Sequence, residues 1–233
     1  MGKYGPLWEH DRHAMVGQAA LTGVDEAGRG PLAGPVVAAA VCIEPAFFQI
    51  MWEPFTVSEF DDSKKIPEAT RLELFAWLEK TASNGHLRFR SAEATVEEIG
   101  EHNILHATAL AMDRAISALP ELYHPDLQGA LPLFENLEKP SPLVLVDGKP
   151  MKRLPHPHKA IVKGDGTSLV IAMASIVAKT LRDRIMVALD EEYPAYGFAK
   201  HKGYGTKQHL DAILLHGPCP AHRPKFLEKI LAR

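Results

Sequence analysis
The sequence predicts an α/β fold, a mixed sheet flanked by helices. Three observations point there. Strand-patterned and helix-patterned segments follow one another in the order β-β-α-β-α-β-β-α-α. Two strand segments, GPVVAAAVCI (34–43) and PLVLVDG (142–148), are apolar nearly throughout, as strands buried on both faces are. The first two strand segments are joined by so few residues that an antiparallel pair is the simplest connection.

Taken in order, LTGVDEA (21–27) reads as a strand ending in a turn, with 34–43 as its partner. Pro67 suits a first helical position, and Leu72, Phe75, Ala76 and Leu78 predict an apolar stripe on a helix over 67–83. In HLRFRSAEA (86–94), Leu87 and Phe89 alternate with Arg88 and Arg90, which predicts a third strand. Residues 103–119 read as an amphipathic helix through Ile104, Leu105, Ala111, Met112 and Ile116, with Thr108 the polar member of its stripe. The Pro-rich stretch 120–142 reads as loop. Strand 142–148 ends at Asp147 and Gly148, and HKAIVKGD (158–165) reads as another, ending at Gly164 and Asp165. The longest helical pattern runs from Thr167 to Glu192, with Leu181, Ile185 and Leu189 among its apolar positions and Lys179, Arg182 and Arg184 on its polar side. GTKQHLDAILLHG (205–217) reads as a last helix, ended by Gly217 and Pro218.

The 233 residues, 46% of them apolar, suffice for one good-sized core. No apolar run approaches the roughly 20 residues that span a bilayer. The N-terminus lacks the apolar centre of a signal peptide, and Pro6 stands where a myristoylation signal takes Ser or Thr. These features predict a cytoplasmic protein without a membrane partner. Cys42 and Cys219 have neither the number nor the spacing of a disulfide framework or a zinc site. Net charge is −3, but unevenly spread: residues 1–146 hold 11 Lys and Arg against 21 Asp and Glu, whereas residues 147–233 hold 15 against 8. Such asymmetry predicts a basic face on an acidic body, or else ordinary solvated helix surface.

Three predicted strands end at acids: Asp25 with Glu26, Asp147, and Asp165. Sites in α/β sheets gather where strand ends open into loops. Each acid alone would serve as a turn former or helix cap. Together they would repel and drive one another toward protonation, so a cation is needed to make the cluster sensible. An all-oxygen ligand set suits Mg²⁺ or Mn²⁺ and not zinc. Two such ions about 4 Å apart are the arrangement for in-line displacement at phosphorus. The four histidines His201, His209, His216 and His222 are scattered through a basic segment without zinc-ligand spacing.

Gly28-Arg29-Gly30, directly after the acids, either permits a tight hairpin or brings backbone amides close to a ligand. Lys64 and Lys65 precede a helix, as phosphate contacts or as a solvated cap. Tyr204, between glycines in KHKGYGTKQH (200–209), is set to stack on a sugar or base, or is an ordinary exposed ring.

With these residues in view, the chain resembles the bacterial ribonuclease HII family, the type 2 ribonucleases H. The resemblance rests on VDEAGRGPLAGPVVAAAV, DSKK, VDG, KGD, ASIVAKTLRDR and YGFAKHKGYGTKQHL followed by HGP, HR and F, in family order over residues 22–226. It implies a ribonuclease H-like five-stranded sheet (21–192) with a C-terminal helical substrate-binding extension (193–233) and an N-terminal extension (1–20), as one compact monomeric unit. It implies metal binding by Asp25, Glu26, Asp147 and Asp165. It further implies that Gly28, Arg29 and Gly30 sense a ribose 2′-hydroxyl, and that Tyr204 stacks on the sugar of the following deoxynucleotide. Lys64, Lys65, Lys179 and Arg182 match basic positions facing phosphates. The implied activity is an endonuclease that cuts the RNA strand of RNA/DNA hybrids and cuts 5′ of ribonucleotides embedded in duplex DNA, as in ribonucleotide excision repair, leaving 3′-hydroxyl and 5′-phosphate ends. No motif points to a sliding clamp as a partner.

The relatives leave the first 20 residues, 44–60 and 120–142 unmatched, and Gly166-Thr167 stands where many carry a different pair. Two rival readings remain at this level: a recombinase- or transposase-type DNA nuclease on the same kind of sheet, and an inactive hybrid-binding module. A P-loop hydrolase is excluded because the Gly-x-x-x-x-Gly-Lys-Ser/Thr sequence is absent.

Overall fold
A computed structural model describes residues 4–53, 57–63, 65–119 and 142–232. The expected hairpin is β1 (Leu21–Ala27) against β2 (Val36–Ile43), antiparallel, with Leu21 opposite Ile43 and Ala27 opposite Val37. β3 (Arg88–Ala94) pairs antiparallel with β2. On the other side, β4 (Leu143–Asp147) and then β5 (Lys159–Ile161) add in parallel to β1. The result is a mixed five-stranded sheet in the order β3-β2-β1-β4-β5. The predicted strand 158–165 is cut short: after Ile161 the chain turns through Lys163, at φ 57°, into a 3-10 turn over Gly164–Gly166. Asp165 therefore sits on a turn and not at a strand end. The predicted loop 120–142 lies, but for Pro142, outside the described residues.

Strand alternation sorts the two cores. Ala39, Val41 and Ile43 of β2 face one cluster with Leu21 and Leu145, while Ala38, Ala40 and Cys42 face the other with Val24, Val144 and Val146. Two helices open the helical set: α1 (Pro6–Ala14) and α2 (Glu68–Ser83). The second cluster is covered by α3 (Val96–His102) and α4 (Ile104–Ser117), and the first by the long α5 (Leu169–Glu192). A C-terminal set, α6 (Phe198–His201), α7 (Lys207–His216) and α8 (Pro224–Leu231), packs Phe198, Ile213 and Leu227 against Met186 of α5. Among the described residues, no helix is long and apolar enough to cross a membrane.

Several helix faces differ from the sequence expectation. On α2 the buried residues are Arg71, Leu74, Phe75 and Leu78, while Leu72 is exposed. On α4, Leu105 is exposed, whereas Thr108 is buried as its place in the stripe predicts, its hydroxyl donating to Ile104 O at 2.7 Å. On α5, Arg182 is buried while Leu181 is only partly so. For Arg71 and Arg182 the inward face is set by tertiary partners, Asp183 for the first and the carbonyls of Ala33 and Pro35 for the second. The sequence reading also assigned no helix to 6–14. There the buried Asp11 accepts from Val170 N (2.8 Å) and Ser168 Oγ (3.1 Å), placing an acid at the positive end of α5.

β1 and α5 touch backbone to backbone. A Cβ at Gly23 would lie 2.2 Å from the Val170 carbonyl carbon. The contact sets how close the acid-bearing strand end lies to the helix above it. Gly23→Ala is expected to lose about 3 kcal/mol or more, because neither backbone can retreat; urea unfolding of the purified variant measures this.

Candidate metal centre and its flanking clefts
Asp25 leaves β1, Asp147 ends β4 and Asp165 sits on the turn after β5. Each offers a carboxylate oxygen, and the three oxygens lie within 4.8 Å of one another. Asp25 and Asp165 are buried, and Asp147 partly so. Backbone donors orient two of them: Glu26 N donates to Asp25 Oδ1 at 2.7 Å, and Gly164 N to Asp147 Oδ1 at 2.6 Å. Gly164 suits this spot because a Cβ there would come within 2.6 Å of the Ile171 side chain and 3.2 Å of Asp147 Oδ1. Ser175 of α5, which hydrogen-bonds Asp25, is itself 2.8 Å from Ser63 Oγ.

Without a cation the arrangement is costly. Burial, reinforced by the negative charges of Glu26 and Asp147, holds the Asp25 carboxyl well above its ordinary value of 3.8. Three crowded oxygens with no nitrogen or sulfur donor fit a hard divalent cation such as Mg²⁺ or Mn²⁺.

The fourth acid, Glu26, stands beside this group. Successive residues of a strand point to opposite faces, so Glu26 leaves on the other side from Asp25. Its Oε1 accepts from Arg29 Nη1 at 2.9 Å.

A cleft of about 500 Å³ opens next to the acids and gathers most of the other sequence-predicted residues. Glu26, Gly28, Arg29 and Gly30 line one side; Lys179, Arg182 and Tyr204 line the other. Tyr204 is 44% exposed, and a Cβ on Gly30 would sit 3.7 Å from its ring. Lys179 donates to Asp183 Oδ1 at 2.6 Å, and burial lowers its pKa. Lys65 is paired with Asp61 on the surface, and Lys64 lies outside the described residues.

Arg182, expected from the resemblance to face phosphates, makes its hydrogen bonds within the protein. The residue is 1% exposed, and its guanidinium donates to carbonyls: Nε to Pro35, Nη1 to Lys202, Nη2 to Ala33. Sequence reasoning missed its companion, Arg223, equally buried, whose guanidinium donates to the carbonyls of Gly28, Arg29, Pro31, Gly34 and Pro35. Burial, helped by the neighbouring Arg182 charge, lowers the Arg223 pKa to about 9, so it stays cationic at neutral pH. The signal was the "HR" piece of the resemblance, which carried no role. The two arginines turn the Gly28–Pro35 carbonyls inward and weld that loop to the C-terminal helices.

Three of the scattered histidines also meet. His201 and His209 stack at 4.4 Å, and His209 Nε2 lies 3.0 Å from His222 Nε2. One proton assignment satisfies the chain: His209 Nδ1–H donates to Tyr204 O (2.9 Å), His222 Nε2–H donates to His209, and His222 Nδ1 accepts from Cys219 N (3.0 Å). Both rings are then neutral, and burial lowers the His209 pKa to about 4. The set supports the backbone beneath Tyr204.

The family model described as Ribonuclease HII matches residues 22–229. The ribonuclease HII of Chromobacterium violaceum is 47% identical over 207 residues, covering 88% of this chain and 89% of that one. The ribonuclease H2 structure from Pyrococcus horikoshii superposes with a TM-score of 0.64 at 23% identity, covering 92% of this chain and all of that one. The structure of Bst-RNase HIII with Mn²⁺ gives 0.65 at 15% identity, covering 95% and 71%. Both structures share the fold.

The raised Asp25 pKa has a definite sign. Without metal, ionising Asp25 weakens the fold as pH climbs from the ordinary carboxylate value through the raised one, and the full penalty is present above the latter. Asp25→Asn is therefore expected to melt higher than wild type in EDTA at pH 7, with the gain vanishing below about pH 4. Calorimetry across that range checks it; a variant that melts no higher at pH 7 would show that the acids are not strained.

Proposed function
The chain belongs to the ribonuclease HII family and is a metal-dependent type 2 ribonuclease H acting on RNA/DNA hybrids, and on that premise we propose how its own residues do this. One observation carries the proposal: the cleft walled by Gly28-Arg29-Gly30 and Tyr204 is also lined by Glu26 and Ser175, the immediate neighbours of Asp25 in the three-carboxylate group.

In this reading Asp25, Asp147 and Asp165 hold divalent ions, two Mg²⁺ or Mn²⁺, with Glu26 as the fourth ligand once its carboxylate turns from Arg29. Bound there, the ions neutralise the crowded acids, make a water more acidic and stabilise the leaving oxygen. The Gly28, Arg29 and Gly30 backbone reads the ribose 2′-hydroxyl, and Tyr204 stacks on the sugar of the next deoxynucleotide. A junction of RNA to DNA is thus recognised by its two halves at once. Water attacks the phosphorus on the 5′ side of the ribonucleotide, the bond to the upstream O3′ breaks, and that oxygen leaves as a 3′-hydroxyl while the phosphate stays on the 5′ end. The Glu26 and Gly164 amides keep two of the acids in place during this exchange.

The substrates we assign are RNA/DNA hybrids and duplex DNA carrying single ribonucleotides. We assign the work to one compact monomeric unit in the cytoplasm, with 21–192 cutting and 193–233 gripping the substrate. The carbonyl clamp between these parts and the free thiols of Cys42 and Cys219 support that assignment.

The decisive experiment is a duplex with one ribonucleotide, incubated with and without Mg²⁺ and mapped at its new ends. Cleavage of an all-DNA duplex instead would favour a recombinase-type nuclease. Asp147→Asn keeps an oxygen for the Gly164 N–H but removes a ligand charge. It is expected to lower kcat at least about 10³-fold while melting at or above the wild-type temperature. Tyr204→Ala is expected to lose about tenfold in kcat/KM on the embedded ribonucleotide, and Tyr204→Phe to retain most of it, because stacking needs the ring and not the hydroxyl.

A further inference from the structure
A second cleft, about 660 Å³, reaches the acid group at Asp147. It is lined by Asp147 itself, by Leu105 of α4, by Arg29, and by the loop 148–153 that follows β4. Four of its side chains are cationic: Arg29, Lys149, Lys152 and Arg153. Its one acid, Asp147, belongs to the metal centre. Lys149, Lys152 and Arg153 are exposed. Unlike Lys179 and Lys65, Lys149 and Lys152 have no paired carboxylate among the described residues.

The loop is held in place. Gly148 N donates to Ile161 O (2.9 Å), Met151 N to His158 Nε2 (3.2 Å), and Arg153 Nη1 to His106 Nδ1 on α4 (2.9 Å). His156 lies 2.8 Å from Asp113 on the same helix. The positive charges therefore stand at set positions beside the metal centre.

Arg29 lines both clefts, so they adjoin there, with Glu26 lining the first and Asp147 the second. We propose that the 148–153 loop, through Lys149 and Lys152, binds backbone phosphates of the cleaved strand upstream of the cut, the part released with the 3′-hydroxyl. The inference rests on the reading above. There, the ribonucleotide and the nucleotide after it fill the first cleft. The bond broken is on the ribonucleotide's 5′ side, so the strand continues upstream across Asp147 into the second cleft.

The test compares duplexes with one ribonucleotide that differ only in the upstream arm, long or a single nucleotide. For wild type, kcat/KM is expected to be higher with the long arm. In the Lys149→Gln, Lys152→Gln double variant the long-to-short ratio is expected to fall about tenfold, and the salt dependence of binding to lose about two units of slope, one per phosphate contact. The substituted side chains are exposed, and Lys149→Glu with Lys152→Glu is expected to lower the ratio further. An unchanged ratio, or equal losses on upstream and downstream truncations, overturns the inference while leaving the cleavage chemistry standing. Wild type that fails to cut either duplex in Mg²⁺ overturns the parent reading instead.

Discussion

Three carboxylates that must share a few ångströms set the terms for everything around them. Like charges so close repel, more strongly as water is excluded, and the fold brings them together from three separate stretches of chain. Parallel pairing does most of the alignment. β1 and β4 run in register, with Val24 beside Val146, so the next residues, Asp25 and Asp147, emerge side by side on the face of the long helix. A slip of one residue would send one of them to the opposite face. The absence of a side chain at Gly23 lets that helix approach closely enough to bring Ser175 to the acids. Packing thus supplies the proximity, and two amide donors offset part of the repulsion.

A second constraint is polar and equally buried. The Gly28–Pro35 loop leaves the sheet with its carbonyls turned away from solvent, and unpaired buried carbonyls are expensive. Arg182 and Arg223 satisfy them as a set. Guanidinium suits this task because its planar fork of donors serves several acceptors at once and its charge survives burial. Since Arg223 comes from the far end of the chain and Arg182 also binds Lys202 O, the loop's carbonyls find their partners only where the C-terminal segment packs against it.

Much of this was legible beforehand, for identifiable reasons. Continuous apolar runs gave β2 and β4, and alternation gave β3, because burial on two faces or one leaves a direct imprint on side-chain order. The acids stood out because carboxylates at several element ends have few innocent explanations when taken together. What stayed hidden depends on distant partners. Nothing local to Asp11 tells that it caps a helix starting at Leu169, and nothing local to Arg182 distinguishes a phosphate contact from a carbonyl clamp. The placement of Asp165 on a 3-10 turn followed from Lys163 entering the left-handed region, which a lysine rarely announces.

On the proposed reading, the clamp would also let this backbone act as a selective sensor. A site rejects a substrate that lacks one hydroxyl only if the group meant for that hydroxyl is left unpaired and cannot relax to another partner. A rotatable side chain relaxes easily. A peptide segment whose carbonyls are held by Arg182 and Arg223 has little freedom to do so, and Tyr204 closes the cleft from the other side, its own carbonyl held by His209. On the proposed reading, selectivity for the ribose would reside in the docking of the C-terminal helices as much as in the glycines that would touch it, while Asp25 and Asp147, set on the sheet, would be free of that task.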